Sequence, residues 1–333
     1  MKQILKITFV YIGLIIGAGF ASGREILEYF NIASSTNFSG ILIATALFVF
    51  IAYIILSKSA EQNIGDFNSY IESVSGKMAP FVKWFMLIYM FCGLFVMFSG
   101  SGALIDSITP LPPICGAVFM ALICFMVLSF DLKGIVTLNM ILVPLMICGI
   151  IYVTVSSVFA STDVFLGEKT AEITLSAVCY SVYNTVTAGA VLVPLAKDTS
   201  IKQIRISAIL GGFIIGLLIF LVWTVIGLNL DNLLDSPLPM LELAAFCGKN
   251  AKKVYSLVLF MAICTTAVSY GFGLMSRFSV RKIRDRVMIA GILCLSALPF
   301  SMYGFSTLVA QLYSAFGYIG MIWIVMIIID RYR

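Results

Sequence analysis

Ten mostly apolar stretches, each near the roughly 20 residues a helix needs to cross a hydrocarbon core, follow one another with little chain between them. No other feature narrows the fold as much. Runs of this length read as helices rather than barrel strands, because a helix satisfies its own backbone N–H and C=O groups in lipid. The stretches cover about 4–30, 38–58, 80–106, 113–130, 135–158, 172–196, 204–228, 253–277, 286–302 and 305–329. The longest connections are 59–79, 159–171 and 229–252, too short for a separate soluble module. Residues 1–333 therefore read as one all-α integral membrane domain. Charged residues make up 11% of the chain, against about 25% in soluble domains. The first stretch lacks a small-residue cleavage pattern after a short apolar region, so it is expected to stay as a span and not to leave as a signal peptide.

Lysine and arginine set the orientation. With the N-terminus inside, 16 of them fall on cytoplasmic connections and ends, and 5 (Arg24, Lys169, Lys249, Lys252 and Lys253) fall outside. Both termini are thus expected in the cytoplasm. The net charge of +5 is spent on this asymmetry and calls for no nucleic-acid partner; the lipid bilayer is the expected surroundings.

Two connections carry helical signatures of their own. In "DFNSYIESVSG" the apolar Phe67, Tyr70, Ile71 and Val74 recur at helical spacing, which predicts a helix lying along the cytoplasmic interface. In "SPLPMLELAAFCG", Pro239 suits a helix start and Gly248 a stop, which predicts a helix capping the outer face.

Several function classes drop out early. The chain has no histidine, which removes the commonest metal ligand and general base. Its 8 cysteines lie mostly inside apolar runs, at spacings that match neither a zinc site nor a disulfide framework. With no loop large enough for an active site, an enzyme is not expected, nor is any cofactor beyond a possible coupling ion.

The polar residues inside the spans are unevenly placed. The first span carries "GLIIGAGFASGRE" (13–25), the sixth "CYSVYNTVTAGAVLVP" (179–194) and the eighth "AICTTAVSYGFG" (262–273). The third adds "SGSGALID" (99–106), and the tenth adds Gln311 and Tyr313. Glycine costs roughly 1 kcal/mol against alanine in a helix interior, so the first tract needs a reason. Two remain open. Gly13–Gly17 and Gly19–Gly23 are GxxxG pairs, which mark close helix crossings, and serine and threonine can bond back to a carbonyl one turn earlier. Alternatively, the helix unwinds. The first and sixth spans stand five apart in a chain of ten, and interrupted helices at matching places in two halves point to a transporter's binding site. An odd number of spans per half inserts the halves in opposite orientation. Unwinding, tolerated only where backbone is buried or lines a cavity, expects breaks within about 17–23 and about 184–190. Freed N–H groups would suit a substrate anion, and freed carbonyls a cation.

"YIGLIIGAGFASGREIL" resembles the first-helix signature of the YkvI-type bacterial membrane proteins, within the amino acid–polyamine–organocation superfamily. The resemblance extends over the whole chain in length and span number. It implies the LeuT-type fold: ten transmembrane helices as two inverted five-helix repeats, about 1–158 and about 172–333, with helices 1 and 6 broken at mid-membrane. It also implies a bacterial cytoplasmic membrane and a site at the breaks. By likeness to sodium-coupled relatives, the cation would take carbonyls of Gly13, Ile16 and Ala262 and hydroxyls of Thr265 and Thr266. The substrate would meet the backbone near Ala18, Gly19 and Phe20 and side chains from among Tyr180, Tyr183, Asn184 and Thr187. The fifth span lacks the lysine that sodium-independent relatives often place in the cation site.

The expected function is import of a small neutral zwitterion, an amino acid, coupled to sodium by alternating access. Two alternatives stand beside it: a ligand-sensing receptor subunit like those of spore germination, and a proton-coupled or exchange transporter. Proton coupling wants an intramembrane carboxylate. Glu25 and Glu28, beyond the glycine tract, and Asp106, at the end of the third span, read as peripheral. No charged side chain is placed at the centre of the third, sixth, eighth or tenth spans, which points to a substrate without a charged side chain. The oligomeric state is not legible.

Overall fold

The computed structural model describes residues 2–30, 38–130, 135–160, 173–230, 233–278 and 282–331. Most of the connection at 159–171, with Lys169, and the topology-determining Lys133, Arg281 and Arg333, lie outside them. All regular structure among the described residues is helical, in the order α1 (Lys2–Ile15), α2 (Ala18–Ser22), α3 (Arg24–Tyr29), α4 (Phe38–Glu61), α5 (Phe67–Ser75), α6 (Ala79–Ile108), α7 (Pro113–Ser129), α8 (Ile135–Ala160), α9 (Ile173–Ala196), α10 (Ile201–Gly227), α11 (Pro239–Phe246), α12 (Lys249–Met275), α13 (Ile283–Ala297), α14 (Phe305–Leu308) and α15 (Ser314–Arg331). A π-helical turn, Val309–Tyr313, joins α14 to α15.

Among these, seven helical stretches are long and apolar enough to cross a membrane, and Pro113–Ser129 and Leu142–Ser157 are shorter apolar helices. They pack on one another without a distinct moment of their own, because both their inner and outer surroundings are apolar. What decides the inward face is therefore size. Small residues sit where helices cross: Gly211, Gly212 and Gly216 of α10 meet Tyr11 of α1 and Val49 and Thr45 of α4 with no room for a side chain between. The large exposed residues, Trp84, Phe213 and Leu295 among them, face outward, where lipid would be.

The α1–α3 segment is threaded through the middle of the bundle. It touches α8, α9, α10 and α12, and Ile7, Tyr11, Ile12, Ile16 and Phe20 are wholly buried. Tyr11 anchors it by donating to the Phe48 carbonyl at 2.9 Å, and Tyr255 of α12 donates to the Ala21 carbonyl at 2.6 Å.

Both connecting helices form where the sequence places them. Asp66 caps α5 by accepting from the Ser69 N–H at 2.9 Å, and Phe67, Tyr70, Ile71 and Val74 are its buried face. Pro239 opens α11, and Gly248, at φ +119°, turns the chain into α12. Lys58 of α4, buried, pairs with Asp330 of α15, and Arg277 at the end of α12 bonds Asn68 of α5.

Candidate cation and substrate site

The helical ladder of the first span stops at its glycines. No i→i−4 hydrogen bond is made by the N–H of Gly17, Ala18, Gly19 or Phe20. The Gly17 N–H turns instead to the Ile15 carbonyl at 2.8 Å. The carbonyls of Gly13, Leu14 and Ile16 lose their usual donors as a result. The ladder resumes with the Ala21 N–H on the Gly17 carbonyl at 2.9 Å, then turns again at Gly23, whose φ of +81° is left-handed and favours glycine. Two short helices, α2 and α3, thus replace one continuous one.

Opposite the break stands α12. A Cβ added to Gly17 would lie 3.1 Å from the Thr266 Oγ1, so this hydroxyl and the broken backbone are in immediate reach. Among the described residues the Thr266 hydroxyl has no hydrogen-bond partner. Its neighbour Thr265 donates back along its own helix, to the carbonyls of Met261 at 3.0 Å and Ala262 at 3.1 Å. Gly13, Thr265 and Thr266 line one cavity of about 500 Å3, together with Thr187 and Pro194 of α9, Ser269 and Tyr270 of α12, and Asp66 and Arg277 near the ends of α5 and α12. Ile16 and Ala262 are buried behind this wall.

The sixth span corrects the expectation of a second break. α9 runs as one helix from Ile173 to Ala196. The polar residues that suggested unwinding bond back to it: Asn184 to the Tyr180 carbonyl at 3.1 Å, Thr185 to Ser181 at 2.7 Å, and Thr187 to Asn184 at 2.8 Å. Each satisfies its own polar group within one turn, so the ladder loses nothing. Pro194 lies so close to the C-terminus that it removes little of the ladder.

The substrate residues expected from sequence divide into two groups. Thr187 faces the cavity. Tyr180 and Tyr183 do not; they lie buried in an aromatic cluster. Tyr29 meets both, with ring centroids 5.6 and 5.7 Å away, and Tyr183 meets Tyr313 of the π-turn at 5.0 Å. Asn184 is buried and committed to its own helix. Ala18, Gly19 and Phe20 are buried at the break, their N–H groups outside the ladder.

Sequence reasoning misplaced one residue. Glu25, read as peripheral, is 4% exposed. Gly23 reverses the chain so that the Glu25 carboxylate folds back over Gly19, where an added Cβ would collide with it. Glu28 and Asp106 do lie on the surface. The signal that could have found Glu25 is the glycine at 23, a turn that brings residue 25 back toward the tract.

Overall shape and sequence relatives agree on what this architecture is. The fold superposes on a sodium-coupled sialic acid symporter with a TM-score of 0.67 at 12% identity, over 98% of this chain and 78% of that one. It superposes on the nucleobase-cation-symport-1 family transporter Mhp1 with a TM-score of 0.60 at 14% identity, over 96% and 77%. The manganese transporter of Eremococcus coleocola gives 0.60 at 12% identity, over 98% and 84%. The membrane protein YkvI of Bacillus subtilis (strain 168) is 28% identical over 329 residues, 96% of this chain and 93% of its own. YyaD of the same organism is 27% identical over 334 residues, 98% and 96%. The homologues are YkvI- and YyaD-type membrane proteins. No protein-family model matches the chain. The chain is a multi-pass membrane protein, and its fold is the LeuT-type fold of these solved structures. The break in the first span lies against Thr266 and the cavity rather than lipid, where irregular backbone is tolerated.

Proposed function

We propose that this protein is a secondary transporter that couples sodium to the movement of a small amino-acid-like zwitterion across the cytoplasmic membrane. Ten spans, counted with the divided first segment, would form two inverted repeats, about 1–158 and about 172–333, with both termini cytoplasmic. In that topology the cavity opens toward the cytoplasm, since Asp66 and Arg277 lie at that end.

One observation carries the reading. The Gly13 and Ile16 carbonyls are freed at the break, and the unpartnered Thr266 hydroxyl faces the same break. These, with Thr265 and the Ala262 carbonyl, make an all-oxygen donor set that suits a hard cation. A transition-metal cargo finds less: among the described residues no group of three His, Cys, Asp or Glu is placed to hold a metal. The sodium coupling of the sialic acid symporter supports the same assignment by analogy of fold.

The test is uptake of labelled amino acids into proteoliposomes under an inward sodium gradient, with potassium as control. Sodium-driven accumulation is expected. Binding without flux would move the protein to the receptor reading, and accumulation that follows a proton gradient alone would displace sodium.

A further inference from the structure

The geometry points to a second binding site at the open end of the cavity, where Arg277 takes the carboxylate of a small organic acid and the apolar wall takes its body. The site stands apart from the break in the first span and holds whether or not sodium binds there.

The two ends of the cavity differ in chemistry. At the inner end lie Gly13, Thr265 and Thr266. At the other lie Gly65 and Asp66, both exposed, with Asn68 and Arg277, both half-buried. Arg277 follows Thr266 by eleven residues, which at about 1.5 Å per residue along a helix sets them roughly 16 Å apart. A molecule of amino-acid size cannot reach both, so a ligand on Arg277 occupies a place of its own.

Arg277 is a cation without an anion. Among the described residues its one hydrogen bond runs from the guanidinium to the Asn68 Oδ1, a neutral acceptor. A guanidinium carries five N–H donors, so Asn68 fixes its orientation and leaves the rest of the fork free. The carboxylate at this end does not pair with it. Asp66 turns to the start of α5, accepting from the Ser69 N–H at 2.9 Å, and among the described residues neither Asp66 nor Arg277 belongs to an ion pair. A second cation stands at the rim. Lys197, just past the end of α9, lies across Gly65: a Cβ added there would be 3.0 Å from its Cδ and 3.4 Å from its Nζ. Glycine at 65 thus leaves the room that Lys197 uses. Asp66 offsets one of the two positive charges, and one remains.

That excess suits a single negative charge. The planar fork suits a carboxylate, which it meets with two parallel hydrogen bonds. A phosphate dianion would face Asp66 with too little positive charge to balance it. The wall also carries Leu14, Met90, Ala190, Val191 and Phe272. A bare inorganic anion leaves these wet, whereas an organic acid covers them and gains from the water released. The cavity, at about 500 Å3, has room for such a body.

Purified full-length protein in detergent is titrated by calorimetry with hydrocinnamate, with its uncharged amide and with inorganic phosphate, each in sodium and in potassium. Hydrocinnamate is expected to bind equally in both salts, and the other two not to bind. Arg277→Gln should weaken hydrocinnamate at least about tenfold. Arg277→Lys, which keeps the charge but not the fork, should fall between that variant and wild type. An amide or a phosphate that binds as tightly as the acid overturns the proposal, as does an Arg277→Gln protein of unchanged affinity. Acid binding in sodium alone would place the ligand at the break and overturns it too. Titrations in phosphatidylcholine nanodiscs, with and without phosphatidylglycerol, separate a free acid from a lipid headgroup. Unchanged affinity for the acid is expected, and its displacement by the anionic lipid would make this end a headgroup site instead. If melting curves show that Arg277→Gln does not fold, Arg277→Lys and the three ligands on wild-type protein still decide. Failure of sodium-driven uptake would leave this site standing, and absence of acid binding would remove it without touching that uptake.

Discussion

Replacing Thr266 by valine tests the proposed cation site with little else disturbed. Valine keeps the branched shape and removes the hydroxyl. In the folded chain that hydroxyl bonds to no protein group among the described residues, so its loss breaks no internal hydrogen bond, and stability should stay within about 0.5 kcal/mol of wild type. On the proposed assignment the cation, by contrast, loses one of five oxygen ligands. A polar contact left unmade costs roughly 1–3 kcal/mol, which is about 5- to 150-fold in affinity. Thr265→Val is the informative companion. Its hydroxyl is already held by the carbonyls of Met261 and Ala262, so that variant should lose both sodium affinity and about 0.5–1.5 kcal/mol of stability. The assay is the sodium midpoint of ligand binding to purified protein, with the melting temperature read on the same samples. At saturating sodium the substrate affinity of Thr266→Val should approach wild type, because the coupling acts through site occupancy. An unchanged sodium midpoint in Thr266→Val would refute the reasoning, since a hydroxyl this close to the break would then ligate nothing. A wild-type protein with no sodium dependence would remove the site altogether.

Gly17→Ala places a methyl 3.1 Å from the Thr266 hydroxyl, which must shift by a few tenths of an ångström; the sodium midpoint should rise several-fold by calorimetry while the protein stays folded. Gly23→Ala meets a φ of +81° and atoms of Ile226 and Met240 at 2.9 Å, and the left-handed conformation alone costs roughly 1–2 kcal/mol. It should lower the melting temperature, and an unchanged melting temperature would contradict the turn. The Asp66 carboxyl lies below its ordinary range because it accepts hydrogen bonds from Ser69. Its folded value is depressed, so its stabilisation is full above about pH 4 and fades as acid protonates it; Asp66→Ala should cost about 1 kcal/mol at neutral pH and lose that acid-side dependence in thermal melts. A reporter fused after residue 333 should register cytoplasmic location, and an external signal would invert the proposed access of the cavity.

How much of this was legible in the sequence depends on whether a residue's role is local. The helices were, because apolar runs of span length have one solution in lipid. The amphipathic α5 was, because its buried residues follow the helical period. The break in the first span was legible as a concentration of glycines whose cost demands a return. The sixth span was misjudged because serine, threonine and asparagine have two uses inside a helix, and only coordinates separate them: at Asn184, Thr185 and Thr187 the side chains turn back onto the helix. Glu25 was missed for a different reason. Gly23 turns the chain locally, but the burial is completed by Tyr180 and Tyr183 of α9, far along the chain, and that half of the arrangement no local pattern encodes.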